Sequence, residues 1–285
     1  DFITKFSCKL TKKSQGTLFG SISPNGEYIF YLNDLGGSEH GHFMRIPFAG
    51  EHAIDITPFL PQYYSYEVSV NNTGNLLCFS ASIENKNKVY LVSFDSKRRP
   101  LTPRLLYEST KSIQGSIMSP DGKFTCISLL SGGTETASEV LVFDNITGNI
   151  IYKFDIKGSY TPHVFSKKSS KLEILGLSNA SGSYRPTLLY PKNKENKETK
   201  NSFFKGDIFV MGWIEDEQKL LLCDVYRAKQ QLLFYDLKKH NIKRIGPNSG
   251  TFDLFFNSVA ILPDRSLLVR WHSFESPPQI LKLHY

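Results

Sequence analysis

One turn recurs along this chain at a fixed step, and that step restricts the fold more than any other feature. Met118-Ser119-Pro120-Asp121-Gly122-Lys123-Phe124 reads as a tight turn between two strands. Proline presets φ, aspartate can cap the turn with its carboxylate, and glycine takes the φ > 0 position. Ile22-Ser23-Pro24-Asn25-Gly26 is nearly the same sequence, and Asn71-Asn72-Thr73-Gly74 is a weaker copy. The three glycines are 48 residues apart. Carrying the step on reaches Ser170 and Gln218, and a step of 47 reaches Arg265 in Leu262-Pro263-Asp264-Arg265. A period between ~20 and ~50 residues marks solenoids, propellers or arrays.

Two columns support the alignment. Two residues after each turn position stand Tyr28, Leu76, Phe124, Leu172, Leu220 and Leu267; four after stand Phe30, Cys78, Cys126, Ile174, Leu222 and Val269. All are apolar and fall on one face of a strand. Each repeat reads as strand, loop, strand, turn, strand and a link into the next; the third is clearest, with Val140 to Phe143, the turn Asp144 to Gly148, and Ile150 to Phe154. In the fourth, a Lys/Asn/Glu-rich insertion, Lys192 to Asn201, stands in place of a tight turn. Nothing comparable has helical spacing. The expectation is an all-β, six-bladed β-propeller with about four antiparallel strands per blade, forming one domain over residues 1–285.

The sixth repeat lacks its final strand. The alternating segment Ile3 to Leu10 is a strand with no turn motif before it. Pairing the two closes the ring and removes an exposed sheet edge, so residues 3–10 are expected to complete the last blade.

Composition narrows the function classes. The 285 residues are 40% hydrophobic and 21% charged, as in a chain with a sizeable core. No apolar run approaches the roughly 20 residues of a membrane-spanning helix, and no membrane partner is expected. Net charge is +7, but the basic residues are dispersed among Lys97-Arg98-Arg99, Lys192 to Lys200 and Lys238 to Arg244. Nucleic-acid binding gathers basic residues on one face, so no nucleic-acid partner is expected either. The four cysteines, Cys8, Cys78, Cys126 and Cys223, have no CxxC pairing and read as reduced, buried thiols. That favours a cytoplasmic setting. The chain begins at Asp1 without an initiator Met, which reads as trimming and leaves a secreted or periplasmic parent open.

The Ser-Pro-Asp-Gly-Lys turn resembles the N-terminal propeller of prolyl oligopeptidase-type serine peptidases, the acylaminoacyl-peptidase and dipeptidyl-peptidase relatives, and also TolB-type propellers. Arg270-Trp271-His272-Ser273-Phe274-Glu275-Ser276-Pro277-Pro278-Gln279-Ile280-Leu281 resembles the last blade of those peptidases. The resemblance implies a non-catalytic cap that restricts access to an α/β-hydrolase domain absent from these residues. That domain of the same parent, or another protein or peptide, is the implied partner. A self-contained interaction scaffold is the alternative.

No residue of the chain inherits a catalytic role. A G-x-S-x-G nucleophile elbow is absent; the nearest approach, Gly36-Gly37-Ser38-Glu39-His40, has His where the second Gly belongs. Glu39, His40 and His42 are too few for a metal centre of about three or four ligands and read as loop residues. No cofactor is expected. The candidate interaction surface comprises Tyr63, Tyr64 and Tyr66, then Phe252, Phe255 and Phe256, with Arg270 and Glu275 near the end of the chain. These aromatics precede innermost strands, where blade packing is the competing reading. Arg270 either faces a channel or pairs locally.

Overall fold

The computed structural model describes residues 20–34, 36–50, 52–65, 67–131, 137–168, 172–214, 217–253, 259–262 and 264–284. Every regular element among them is a strand except a single 3-10 turn at Pro191–Asn193, so the all-β expectation holds. No helix among the described residues is long and apolar enough to cross a membrane.

The first nine strands are β1 (Gly20–Ile22), β2 (Tyr28–Asp34), β3 (His40–Pro47), β4 (Ile54–Asp55), β5 (Tyr63–Tyr64), β6 (Val68–Val70), β7 (Leu76–Ile83), β8 (Lys86–Ser93) and β9 (Arg104–Ser109). They form one sheet in the order β1-β2-β3-β5-β7-β8-β9, with β4 paired to β3 and β6 to β7. Four-stranded sheets follow. The first is β10 (Ser112–Met118), β11 (Phe124–Ser131), β12 (Ala137–Asp144) and β13 (Ile150–Lys157). The next is β14 (Tyr160–Phe165), β15 (Ile174–Ser178), β16 (Arg185–Tyr190) and β17 (Glu195–Glu198). Then come β18 (Asp207–Ile214), β19 (Lys219–Tyr226), β20 (Lys229–Asp236) and β21 (Ile242–Ile245). In the last sheet β22 (Thr251–Phe252), β23 (Val259–Ile261) and β25 (Gln279–His284) all pair with β24 (Ser266–His272). Two compact units result, Asp1–Thr125 with Asp144–Asn149, and Cys126–Phe143 with Ile150–Tyr285.

Burial follows position in each sheet. Central strands are buried on both faces: Leu77, Cys78 and Phe79 of β7 are fully buried, as are Leu220 to Cys223 of β19. Each such side chain contributes about 1.5–3 kcal/mol relative to exposure. Outer strands are largely open, and β25 has no fully buried residue, with only Leu281 and Leu283 half-buried. Cys78, Cys126 and Cys223 are buried thiols. Burial pushes the Cys78 and Cys223 thiols up to about 12, which makes them small core residues rather than nucleophiles.

The repeated turn is a shared hydrogen-bonded unit. In the first three copies the glycine amide donates to the carbonyl three residues back, as from Gly122 to Ser119 at 2.8 Å. Gly122 has φ 77, in the left-handed region where a side chain is strained. Successive turns of the first unit touch: Asn25 Nδ2 donates to the Thr73 carbonyl at 3.1 Å, and the Asn72 amide to the Pro120 carbonyl at 2.8 Å. In the second unit the Glu217 carboxylate accepts from Ser166 Oγ at 2.7 Å and from the Lys167 amide.

The fifth turn corrects the sequence alignment. Its left-handed residue is Glu217 (φ 69), whose amide donates to Ile214; Gln218, the position reached by counting, is one too far. Asn71 bonds Leu76 in the second turn, and Ile214 faces Lys219 in the fifth, so Lys219 is the counterpart of Leu76. Leu220 therefore aligns with Leu77. In the sixth turn Arg265 does take the left-handed position (φ 60), but the turn is one residue shorter, with Leu262 bonding Ser266. The apolar columns slipped by one residue because both faces of these strands are buried, which removes the alternation that would fix their register. Ser170 lies outside the described residues, as does the segment 3–10 expected to close the ring.

The fourth repeat corrects a second expectation. Lys192 to Asn201 is not an insertion in place of a turn. Pro191–Asn193 and the left-handed Lys194 (φ 56) make a tight turn, and Glu195–Glu198 is the outer strand of its sheet. An outer strand exposes most of its side chains, so its composition reads as loop.

Candidate functional site

The residues expected on an interaction surface divide sharply. Tyr63 is fully buried. Its hydroxyl accepts from the Phe43 amide at 2.8 Å and shares a 2.8 Å bond with Thr57 Oγ1. Burial pushes its phenol far above the usual tyrosine range. Phe252 is also buried, in a cluster with Ile245, Leu267 and Val269. Both are core residues rather than surface, because each sits on a short strand paired with a largely buried one, β7 for Tyr63 and β24 for Phe252. Tyr64 is half-buried, paired across strands with His40 and Ser82. Arg270 is exposed and pairs locally, its guanidinium 3.3 Å from Asp253. Glu275 is exposed in the loop before β25, where its amide donates to Ser273 Oγ at 3.2 Å. Tyr66, Phe255 and Phe256 lie outside the described residues.

The histidines read as loop residues belong to a strand, since β3 begins at His40. His42 Nδ1 is 2.7 Å from Asp55 Oδ2, and its ring stacks on Tyr63 with centroids 5.7 Å apart. Asp55 is held in turn by the Thr57 amide at 2.8 Å. A carboxylate on Nδ1 orients an imidazole as it would beside a metal. Among the described residues, however, no group of three or more His, Cys, Asp or Glu is placed to hold an ion.

The second unit contains a cavity of about 350 Å³ between the sheet of β16 and β17 and the end of β20. Leu188 and Tyr190 of β16 form one wall, and Tyr235 and Leu237 the other. Cross-strand register fixes which side chains share the first wall: Leu188 pairs with Lys197, so Lys197 lies on the same face. Glu198 pairs with Thr187 on the opposite face and borders the cavity from there.

Hydrogen bonds lace the mouth of this cavity. The buried Tyr235 hydroxyl shares a 2.8 Å bond with His240 Nδ1 and donates to the Lys200 carbonyl at 3.4 Å. Asn201 Nδ2 donates to the His240 carbonyl at 2.7 Å. His240 itself is held in the left-handed region (φ 54) by the bond from its amide to Asp236 at 2.8 Å. Burial raises the Tyr235 pKa, and burial followed by Glu173 and Glu195 raises that of Tyr190. Both phenols therefore stay protonated at neutral pH. Sequence reasoning missed this site because its walls come from three segments, each of which reads as ordinary strand, turn or polar loop.

Comparison with known proteins places the fold. No family profile matches the sequence, and no curated protein does. Among solved structures, a prolyl endopeptidase matches with a TM-score of 0.69 at 16% identity, over 93% of this chain and 40% of that one. An oligogalacturonate lyase in complex with manganese matches with a TM-score of 0.65 at 12% identity, over 93% of this chain and 76% of that one. A protein assigned as TolB from Agrobacterium tumefaciens matches with a TM-score of 0.54 at 17% identity, over 79% of each chain. The chain has the β-propeller fold of these proteins. At such identities the likeness speaks for the fold alone.

Proposed function

We propose that this chain is the propeller cap of a prolyl oligopeptidase-like serine peptidase. In this reading it has six blades, packs on a hydrolase domain of the same parent, and limits which peptides reach that domain without catalysing anything itself. The observation that carries the reading is the unequal coverage of the endopeptidase match: nearly all of this chain aligns with less than half of that one. The last blade is consistent with it, since among the described residues β25 pairs only with β24, leaving an edge for residues 3–10 to fill.

The coding sequence beyond Tyr285 tests the proposal. A G-x-S-x-G motif at the strand-to-helix turn of a hydrolase domain, within roughly 300 residues, is the expected finding. A stop codon directly after Tyr285 would overturn it. Ring closure has its own test: removing residues 1–12 should lower the thermal midpoint, and an unchanged midpoint rules the closure out.

A free-standing propeller that acts as a protein-binding scaffold is the second reading. It is favoured by the TolB match, in which this chain spans 79% of its neighbour. Purified chain recovering a defined partner in stoichiometric amount, together with a stop codon at its end, would favour this reading over the first.

A further inference from the structure

The cavity between β16–β17 and β20 has the build of a ligand site, and neither reading above accounts for it. Its volume of about 350 Å³ lies near the lower end of the ~300–1,000 Å³ typical of small-molecule sites. That suits a single ring with a short chain. Leu188, Leu237 and the faces of Tyr190 and Tyr235 supply apolar walls. Lys197 projects from the Leu188 face, and Lys200 and His240 stand at the mouth. Among the described residues neither lysine forms a salt bridge, so both ammonium groups are available.

The acids are disposed differently. Glu198 belongs to the opposite face of β17, and Glu195, which pairs with Tyr190 on the Lys197 face, acts with Glu173 on Tyr190. Lys200 stands at the His240 end, away from those two acids. Tyr235, fixed by His240 and the Lys200 carbonyl, gives that end a rigid floor. A preformed floor spares the ligand the cost of ordering it.

We infer that this cavity binds a small apolar carboxylate, its hydrocarbon body between Leu188, Tyr190 and Tyr235 and its anionic group on Lys197 and Lys200. The inference concerns the propeller alone. It stands or falls independently of any hydrolase domain.

Calorimetric titration of the full chain with 4-phenylbutyrate, its amide and 4-phenylbutylamine tests it. The expected result is one site per chain, with the carboxylate bound at least tenfold more tightly than the amide and the amine bound least. Both lysines are at the surface, so Lys197→Met with Lys200→Met should leave the fold intact. In that variant the carboxylate should weaken about tenfold while the amide is unchanged. Leu188→Trp, which fills the cavity, should abolish both; Leu188 is a core residue, so this result counts only where the thermal midpoint is retained. Three outcomes would overturn the inference: amide or amine binding as tightly as the carboxylate, a carboxylate affinity indifferent to the lysine pair, or no heat up to about 5 mM probe, a concentration that detects even millimolar affinity.

Discussion

The two units solve the same packing problem with different residues. In the first, three turns carry glycine at the left-handed position, and β5 runs between β3 and β7 to make one nine-stranded sheet. In the second, the turns at Glu217 and Arg265 have no glycine at that position, while Asp264 bonds Ser266 there much as Asp121 bonds Ser119 and Lys123 in the Gly122 turn. Their tyrosines differ in the same way. Tyr63 is sealed between Phe43 and Phe79, with its hydroxyl on backbone and Thr57. Tyr235 is equally buried, but its hydroxyl ties an exposed turn residue, His240, beside open space. In the second unit the sheets of β16 and β20 meet through side chains and leave the cavity between them.

Replacing the sealed tyrosine should have the largest effect. Tyr63→Ala should cost about 3–5 kcal/mol, the usual range for deleting a buried aromatic. Tyr63→Phe keeps the ring and strands the Phe43 amide, for about 1–3 kcal/mol. Denaturant unfolding measures both. If Tyr63→Phe cost no more than the same change at Tyr235, the contrast between a sealed and an open junction would collapse.

The turns give the next effect. Gly122→Ala places a side chain at φ 77 with its Cβ about 3.0 Å from Asn71 Nδ2. The left-handed penalty alone is ~1–2 kcal/mol. Arg265→Gly should act the other way and stabilise by about 0.5 kcal/mol, since relief of strain slightly exceeds the added freedom of the unfolded chain. A loss of stability on Arg265→Gly would mean that the second unit has adapted its turns to side chains rather than tolerated them.

This difference also explains what could be read from the sequence. Gly26, Gly74 and Gly122 announce their turns, so the first three repeats and their strands were legible. Glu217 and Arg265 occupy equivalent positions without the residue that signals them, and the strands that follow are apolar on both faces, so a one-residue slip left no trace in the pattern. Glu195–Glu198 was hidden for the opposite reason, as an outer strand too polar to register. The cavity inherits both problems. Lys197 and Lys200 stand on that hidden strand and just after it, and their neighbours Tyr235 and His240 follow a turn whose register had slipped. Tyr63 and Phe252 carried a true signal, aromatics beside inner strands, but burial makes them core.

Tyr235→Phe should cost about 0.5–1.5 kcal/mol, less than Tyr63→Phe, because His240 is exposed and can bond water once the phenol is gone. Chemical denaturation of the two phenylalanine variants side by side gives the comparison directly. The same change should loosen the cavity floor, so amide hydrogen exchange should quicken at Lys239 and His240 and stay unchanged around Phe43.

The smallest effect lies in the last turn and depends on pH. Lys282 Nζ, 2.7 Å from Asp264 Oδ2, holds that carboxyl well below the usual carboxylate range, helped by Ser266 Oγ at 2.5 Å and the Ser266 amide at 3.1 Å. A carboxyl depressed on folding stabilises wherever it is ionised in the unfolded chain, above about pH 4, and that contribution falls away as pH drops through the folded value. The pair is solvent-exposed, so salt should weaken it. Asp264→Asn should therefore leave a stability curve that is flatter than the parent's between about pH 4 and pH 2 and differs little from it at high salt. Parallel acid titrations of Asp264→Asn and the parent, followed by near-ultraviolet circular dichroism, decide the matter: identical acid limbs would show that the carboxylate contributes nothing to a turn built without glycine.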